Sequence, residues 1–194
     1  MDRVDPHAFL SRKGRDPSRF LPMLLLLAGT TACATTISGQ KATDYKAGSV
    51  LVLPPRDAVQ GGVPHAKGAG SGQILLDDVT RASLITSFKV LKTTNPAFTN
   101  ATIPTKDEAI QEGRNLKADY VLQLVLGEFL DAAPMTFRAD FVTLEQAVMY
   151  ETATGTEVWR LDKPTTFQKT NIGAYTPLLD EMAQALMKSV ASGR

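Results

Sequence analysis

The stretch DYVLQLVLGEF, residues 119–129, decides the fold. Its apolar centre is nearly continuous, which is typical of a strand buried inside a sheet. The segment before it, KDEAIQEGRNLKA (residues 106–118), is predicted to be a helix that Thr105 caps. The strand therefore follows a helical connection, as a strand in a parallel sheet does.

The same pattern occurs once more upstream. SVLVLPP (residues 49–55) is a short apolar run stopped by two prolines, and SFKVLKT (residues 87–93) alternates apolar and polar residues. Between them, Ser71 is expected to cap a helix whose apolar residues recur at helical spacing. Two consecutive strand-helix-strand units predict parallel strand pairing.

Downstream, two extended runs, residues 137–151 and 157–169, are separated by TATGT. A tight loop with Gly155 in the left-handed conformation predicts a hairpin whose paired residue numbers add to 308. A helix capped by Thr176 closes the chain. The expected class is α/β, a mixed sheet of about five strands in the order βαβαβββα with helices packed mainly on one face.

Both faces of the predicted hairpin are apolar. If all helices cover one side, the other side is left open as a surface for a partner or a second copy. Alternatively, the third helix or the N-terminal loop buries Trp159 as ordinary core. In the predicted register the helix-covered face carries Val142, Leu144, Val148, Tyr150 and Val158, and the candidate interaction surface consists of Phe141, Met149, Trp159, Leu161 and Phe167.

The N-terminal segment has the organisation of a secretory signal. Five basic residues precede an apolar run of ten residues, 20–29, and small residues follow. As a helix the run is about 15 Å long, roughly half the hydrocarbon thickness of a bilayer. Residues 1–32 are therefore predicted to be a signal peptide that is removed.

Cys33, the only cysteine, ends this segment. A small-residue run ending in cysteine directly after the apolar core resembles the lipobox of bacterial lipoproteins, which implies that Cys33 is lipidated and anchors the protein in the membrane. Two alternatives stay open: cleavage after Ala34 would release a soluble periplasmic protein, and an uncleaved segment would act as an anchor. Residues 33–47 are predicted to form the lipidated cysteine and a flexible tether, and 48–194 a single periplasmic domain. Ala34, where Asp would signal inner-membrane retention, favours the outer membrane.

Several motifs carry a family resemblance. GSG at residues 70–72, KADYVLQ at 117–123, TGTEVW at 154–159 and the closing amphipathic helix resemble proteobacterial lipoproteins of the domain-of-unknown-function 4823 family. The resemblance covers roughly residues 48–190 and implies a cell-envelope lipoprotein without assigned catalytic residues. The element order is also similar to the small α/β domains of the curli-secretion lipoprotein and of lipoproteins that activate penicillin-binding proteins.

The sequence offers little catalytic chemistry. GAGSG (residues 68–72) superficially resembles a phosphate-binding loop but lacks the Lys-Ser/Thr of a P-loop, so its glycines are expected to serve the loop and the helix start. His65 is the one histidine of the mature chain and is expected to be a solvated loop residue. Asp107, Glu108 and Glu112 are predicted to form a solvated helix face.

These patterns predict a non-catalytic accessory or binding module. The mature chain is nearly neutral, which argues against nucleic acid as a partner. The expected partners are the membrane, through the N-terminal lipid, and an envelope protein, with no cofactor and no metal. An enzyme acting on an envelope substrate is the alternative.

Overall fold

The computed structural model describes residues 35–131, 139–170 and 176–193. Within them, the strands and helices follow one another in the chain as β1 (Gly39–Lys41), β2 (Ser49–Val52), β3 (Val59–Gln60), β4 (Val63–Pro64), α1 (Ser71–Ser83), β5 (Lys89–Lys92), α2 (Lys106–Asn115), β6 (Tyr120–Leu130), β7 (Ala139–Glu151), β8 (Glu157–Leu161), β9 (Thr165–Thr170) and α3 (Thr176–Ser192).

One mixed sheet organises these elements, with the strand order β1-β8-β7-β6-β2-β5. β2 pairs in parallel with both β5 and β6, as the two strand-helix-strand units predict. β6 and β7 are long enough to continue beyond this row of six strands, where β3 pairs with β6 and β9 pairs with β7, so that the sheet has nine strands over the described residues. The predicted α/β class is confirmed, with more strands than expected.

The helices cover both faces of the sheet. The side chains of β2 alternate, so that Val50 and Val52 join the main core beneath α1 and α3. Leu51 and Leu53 point the other way and pack with Ala109 of α2. Two helices therefore share one face and the third covers the other, because β2 has apolar side chains on both sides.

The hairpin forms at the predicted turn. Gly155 has a φ of 71° and Met149 pairs with Trp159, both as predicted. The register slips by one residue further along, where Val142 pairs with Phe167 and the predicted pairing of Phe141 with Phe167 is wrong.

A bulge in β7 also reverses the predicted faces. Val125 pairs with Gln146 and Leu126 with Leu144, which leaves Glu145 without a partner on β6. Because side-chain direction alternates along a strand, this extra residue puts Leu144 on the same side as Met149, in the main core. The prediction that Val142 and Leu144 lie on the face opposite Met149 is therefore wrong.

The N-terminal segment is part of the sheet. β1 pairs antiparallel with β8, from Gly39 opposite Leu161 to Lys41 opposite Trp159. Ile37 is buried in the main core. The flexible tether predicted for residues 33–47 is therefore wrong from Ile37 onward, because backbone pairing and the burial of Ile37 hold this segment to the domain.

Candidate functional site

The predicted interaction surface is buried. Trp159 and Met149 are fully inaccessible, Phe167 and Leu161 are buried, and Phe141 is half-buried. All of them except Phe141 share the main core with the apolar stripe of α3, which includes Leu179 and Met182. The prediction of an open face is wrong in this structure, because α3 lies on that face and β1 covers the edge beside Trp159.

The glycine-rich loop before α1 binds a carboxylate of the chain itself. Asp57 accepts hydrogen bonds from the backbone N–H groups of Gly70 (2.9 Å) and Gly72 (2.8 Å), at the start of α1. Gly70 precedes the helix with a φ of 83°. The predicted cap, Ser71, is instead the first helical residue, and its buried hydroxyl accepts a hydrogen bond from Ala58 N–H at 2.7 Å.

The glycines of this loop are required by close packing. A Cβ on Gly72 would overlap the carbonyl oxygen of Pro55, and one on Gly68 would overlap that of Ala58. They serve the loop and the helix start, as predicted. The anion position that such a loop offers to a phosphate is taken by Asp57.

Cys33 lies outside the described residues. The compact unit to which the domain belongs runs from Thr35 to Arg194, so it begins two residues after that cysteine. Among the described helices, none is long and apolar enough to cross a membrane.

An open groove of about 750 Å³ lies between α2 and the loop that joins β5 to α2. Phe98, Ile103 and Pro104 supply its apolar lining, and the side chain of Ile103 is 47% exposed. Asp107 and Glu108 come from the first turn of α2. Its remaining lining residues are Asn95, Ala97, Thr102, Gln111, Glu112 and Asn115, and no lysine or arginine is among them.

Glu112 organises the inner wall of the groove. It is buried, and its carboxylate accepts hydrogen bonds from the hydroxyl of Thr93 and the side-chain amides of Asn95 (3.1 Å) and Asn115 (3.3 Å). The Thr93 hydrogen bond is the main cause that lowers the pKa of Glu112. The prediction that Glu112 belongs to a solvated helix face is wrong, because this network holds the loop against α2.

The other wall of the groove begins at a helix cap. The Thr105 side chain accepts from the backbone N–H of Glu108, and the Glu108 carboxylate accepts from the backbone N–H of Thr105 at 2.8 Å, which confirms Thr105 as the cap of α2. The hydrogen bonds that the backbone N–H and the hydroxyl of Thr105 donate to the Glu108 carboxylate lower the pKa of Glu108. Hydrogen bonds thus fix both walls, whereas Ile103 between them is exposed.

A second cleft of about 500 Å³ lies where β6 begins and β7 ends. Lys46, Arg114 and Lys117 contribute positive charge to its lining, and Asp119 and Glu151 contribute negative charge. The carboxylate of Asp119 accepts from the backbone and the hydroxyl of Ser49, each at 2.7 Å, and these bonds lower its pKa. Asp119 therefore joins the start of β6 to β2, and it stands at the strand entry, where the sequence predicts it.

His65 has a local structural contact. It is exposed, and its Nδ1 accepts from the backbone N–H of Lys67 at 3.2 Å, at a short 3₁₀ turn before α1. Over residues 35–131, 139–170 and 176–193, no cluster of His, Cys, Asp and Glu has a geometry that could hold a metal ion.

The groove is not among the sites that the sequence predicts. The sequence feature that could have indicated the groove is the pair of apolar residues Phe98 and Ile103, which lie among turn-forming residues in the loop between β5 and α2. An apolar residue in such a loop has no strand or helix period, so periodicity gives no indication of whether it packs or stays exposed.

No protein-family model matches the sequence, and no curated protein matches it. Several solved structures share the fold. The PelC dodecamer from Paraburkholderia phytofirmans is 13% identical, with a TM-score of 0.54 over 80% of this chain and 96% of that chain. A point variant of the same PelC dodecamer is 14% identical, with a TM-score of 0.53 over 81% of this chain and 99% of that chain.

The lipoprotein GNA1162 from Neisseria meningitidis is 17% identical, with a TM-score of 0.48 over 74% of this chain and 98% of that chain. At this level of identity, the likeness to PelC establishes the α/β fold.

Proposed function

We propose that this chain is the precursor of a lipid-anchored protein of the bacterial cell envelope, whose α/β domain is a non-catalytic binding module. Residues 1–32 are the signal peptide, Cys33 carries the lipid, and the periplasmic domain begins at Ile37, which is buried in the main core. Ala34, the residue after the cysteine, favours the outer membrane. The motifs that resemble the domain-of-unknown-function 4823 family support this proposal. The observation that carries it is that the signal pattern ends at Cys33 and the chain is already buried in the domain four residues later, at Ile37.

The lipid anchor is tested in cells. Labelled palmitate should enter the protein, and Cys33→Ser should abolish both labelling and membrane fractionation. Ser38→Ala is the matched control, because it changes an exposed residue beyond the signal and keeps the cysteine. An unlabelled mature protein whose mass begins at Thr35 would refute the anchor and establish the soluble periplasmic form.

The groove beside α2 is the proposed docking site for an envelope protein. Its lining combines exposed Ile103 with the carboxylates of Asp107, Glu108 and Glu112, and the described part of the chain contributes no basic residue to it. A partner segment with an apolar side chain next to lysine or arginine fits this chemistry, since opposite charges steer association and a buried apolar anchor supplies affinity.

A photo-crosslinking residue placed at position 103 tests the docking site in cells, with position 63 as the control, because Val63 is also exposed. We expect an adduct from position 103 that Asp107→Lys removes, and none from position 63. Equal adducts from both positions, or an adduct that the charge reversal leaves unchanged, would refute the groove as the site.

Self-assembly is a second candidate function. Leu84 and Ile85, directly after α1, are 83% and 73% exposed and lie side by side on the surface. PelC, which shares the fold, forms a dodecamer. Light scattering of the purified domain should then show an oligomer that Leu84→Ser dissociates, and a monomer at all concentrations would refute this candidate.

A further inference from the structure

The chain becomes fixed to the domain very soon after Cys33. Ile37 is 7% exposed and belongs to the main core. Ser38 is held twice by Asp162: its carbonyl oxygen accepts from the Asp162 N–H at 3.0 Å, and its hydroxyl donates to the Asp162 carboxylate at 2.7 Å. β1 then begins at Gly39. The anchoring segment therefore ends at a corner of the domain formed by Ser38, Asp162 and Lys163, here named the anchored corner.

The free length before this corner is short. Only residues 34–36 separate Cys33 from Ile37, so a fully extended chain spans about 14 Å between their Cα atoms. The polar layer on each side of a bilayer is about 5–8 Å thick. A lipid on Cys33 therefore keeps Ile37 less than about 10 Å beyond the headgroups, which is shorter than the width of the domain.

We infer that the anchored corner is a membrane-contact surface whose partner is the headgroup layer of the bilayer that holds the lipid. The inference rests on the proposed lipidation of Cys33. Asp162 and Lys163 are both exposed, as a surface that touches polar headgroups requires. The domain thus works on the membrane surface, because no tether carries it further out.

The same geometry directs the groove away from the membrane. β1 and β5 are the two edges of the main sheet, separated by five strand spacings, which is about 24 Å. The loop that lines the groove starts directly after β5. The loop that forms one wall of the docking site therefore begins at the sheet edge opposite the edge that carries the anchored corner.

Two single-cysteine variants of the full chain test this arrangement. Lys163→Cys labels the anchored corner, and Lys89→Cys labels β5, where the replaced lysine is also exposed. Because lipidation blocks the sulfur of Cys33, each variant has one free thiol for a fluorescent label. The labelled proteins are placed in vesicles of phosphatidylethanolamine and phosphatidylglycerol that contain a lipid with a nitroxide on its headgroup.

We expect quenching to be several-fold stronger at position 163 than at position 89. Inserting about twenty Gly/Ser residues between Ala34 and Thr35 adds about 25 Å of reach and should remove this difference. Intact mass establishes lipidation of each sample, and Trp159 emission establishes that each is folded. A sample without lipid overturns the proposed anchor together with this inference. Lipidated protein that is quenched equally at both positions, or that keeps the contrast after the insertion, overturns this inference alone.

Discussion

Gly39→Ala tests whether β1 seals the core over Trp159. Trp159 is fully buried, and an added Cβ at position 39 would lie 2.5 Å from its Nε1 and closer still to the ring carbons Cε2 and Cζ2. Carbon atoms in favourable contact are about 3.5–4.0 Å apart, so the methyl group would penetrate the indole by more than about 1 Å. A closely packed core has no free space into which the ring can move.

Two responses are open to the variant. If the core shifts to admit the methyl group, overpacking costs about 1–3 kcal/mol of the free energy of unfolding. If β1 instead leaves β8, the indole is uncovered. The free energy of unfolding then falls by somewhat less than the value of about 3–5 kcal/mol expected for Trp159→Ala. For a domain of this size each kcal/mol lowers Tm by about 2–4 °C, so the expected fall is about 2–12 °C for the first response and less than about 20 °C for the second.

The assay uses thermal unfolding and intrinsic fluorescence together. Trp159 is the only tryptophan, so the emission maximum reports its environment directly and should move to longer wavelength if β1 detaches. Gln40→Ala is the matched control, because Gln40 is the exposed next residue of the same strand. If Gly39→Ala has the Tm and the emission of the wild type, β1 does not close the core, and the Trp159 face returns as a candidate interaction surface.

Four further substitutions test local features by urea unfolding. Asp57→Ala leaves the N–H groups at the start of α1 without their acceptor and should lower the free energy of unfolding by about 1–2 kcal/mol. An unchanged urea midpoint would refute the role of Asp57 as the cap of α1. Glu112→Ala removes a carboxylate whose pKa is lowered by hydrogen bonds. The stability that this carboxylate supplies is therefore present above about pH 4.5 and is lost as the pH falls through its folded pKa. The difference in the free energy of unfolding between variant and wild type should vanish in acid. Tyr45→Phe removes the hydrogen bond to the carbonyl of Val190 near the end of α3 and should lower the free energy of unfolding by about 1 kcal/mol. Burial raises the pKa of Tyr45 to about 12, so wild-type stability should decline above about pH 10 while that of the variant stays flatter. His65→Ala should change the free energy of unfolding by less than about 0.5 kcal/mol, and a larger change would show that its turn supports the domain.

Elements with local signals were predictable. The two strand-helix-strand units follow from apolar runs, helical spacing and caps, and the capping box at Thr105 forms as expected. The hairpin turn follows from Gly155, because its left-handed conformation is one that glycine adopts at little cost. In each case the information lies within a few residues of the feature.

The candidate site was less accessible from the sequence. Glu112 lies four residues after Glu108 in α2, on the same side of the helix. It is nevertheless buried, because Thr93 and Asn95, far away along the chain, donate hydrogen bonds to its carboxylate. Ile103 is exposed although its type favours burial. Neither property can be derived from residue type, because each depends on how the loop between β5 and α2 lies on the helix.

By itself, the sequence determined the parallel centre of the sheet, the helix positions, the hairpin turn and the signal pattern that ends at Cys33, since each depends on the spacing of neighbouring residues. Only the tertiary structure decided which hairpin residues are covered. The bulge at Glu145 breaks the two-residue period and changes the face of Leu144, and β1 has no apolar alternation of its own. β1 forms because β8 supplies its hydrogen-bond partners and because Gly39 is small enough to lie on Trp159, a contact between residues 120 positions apart that no local pattern contains.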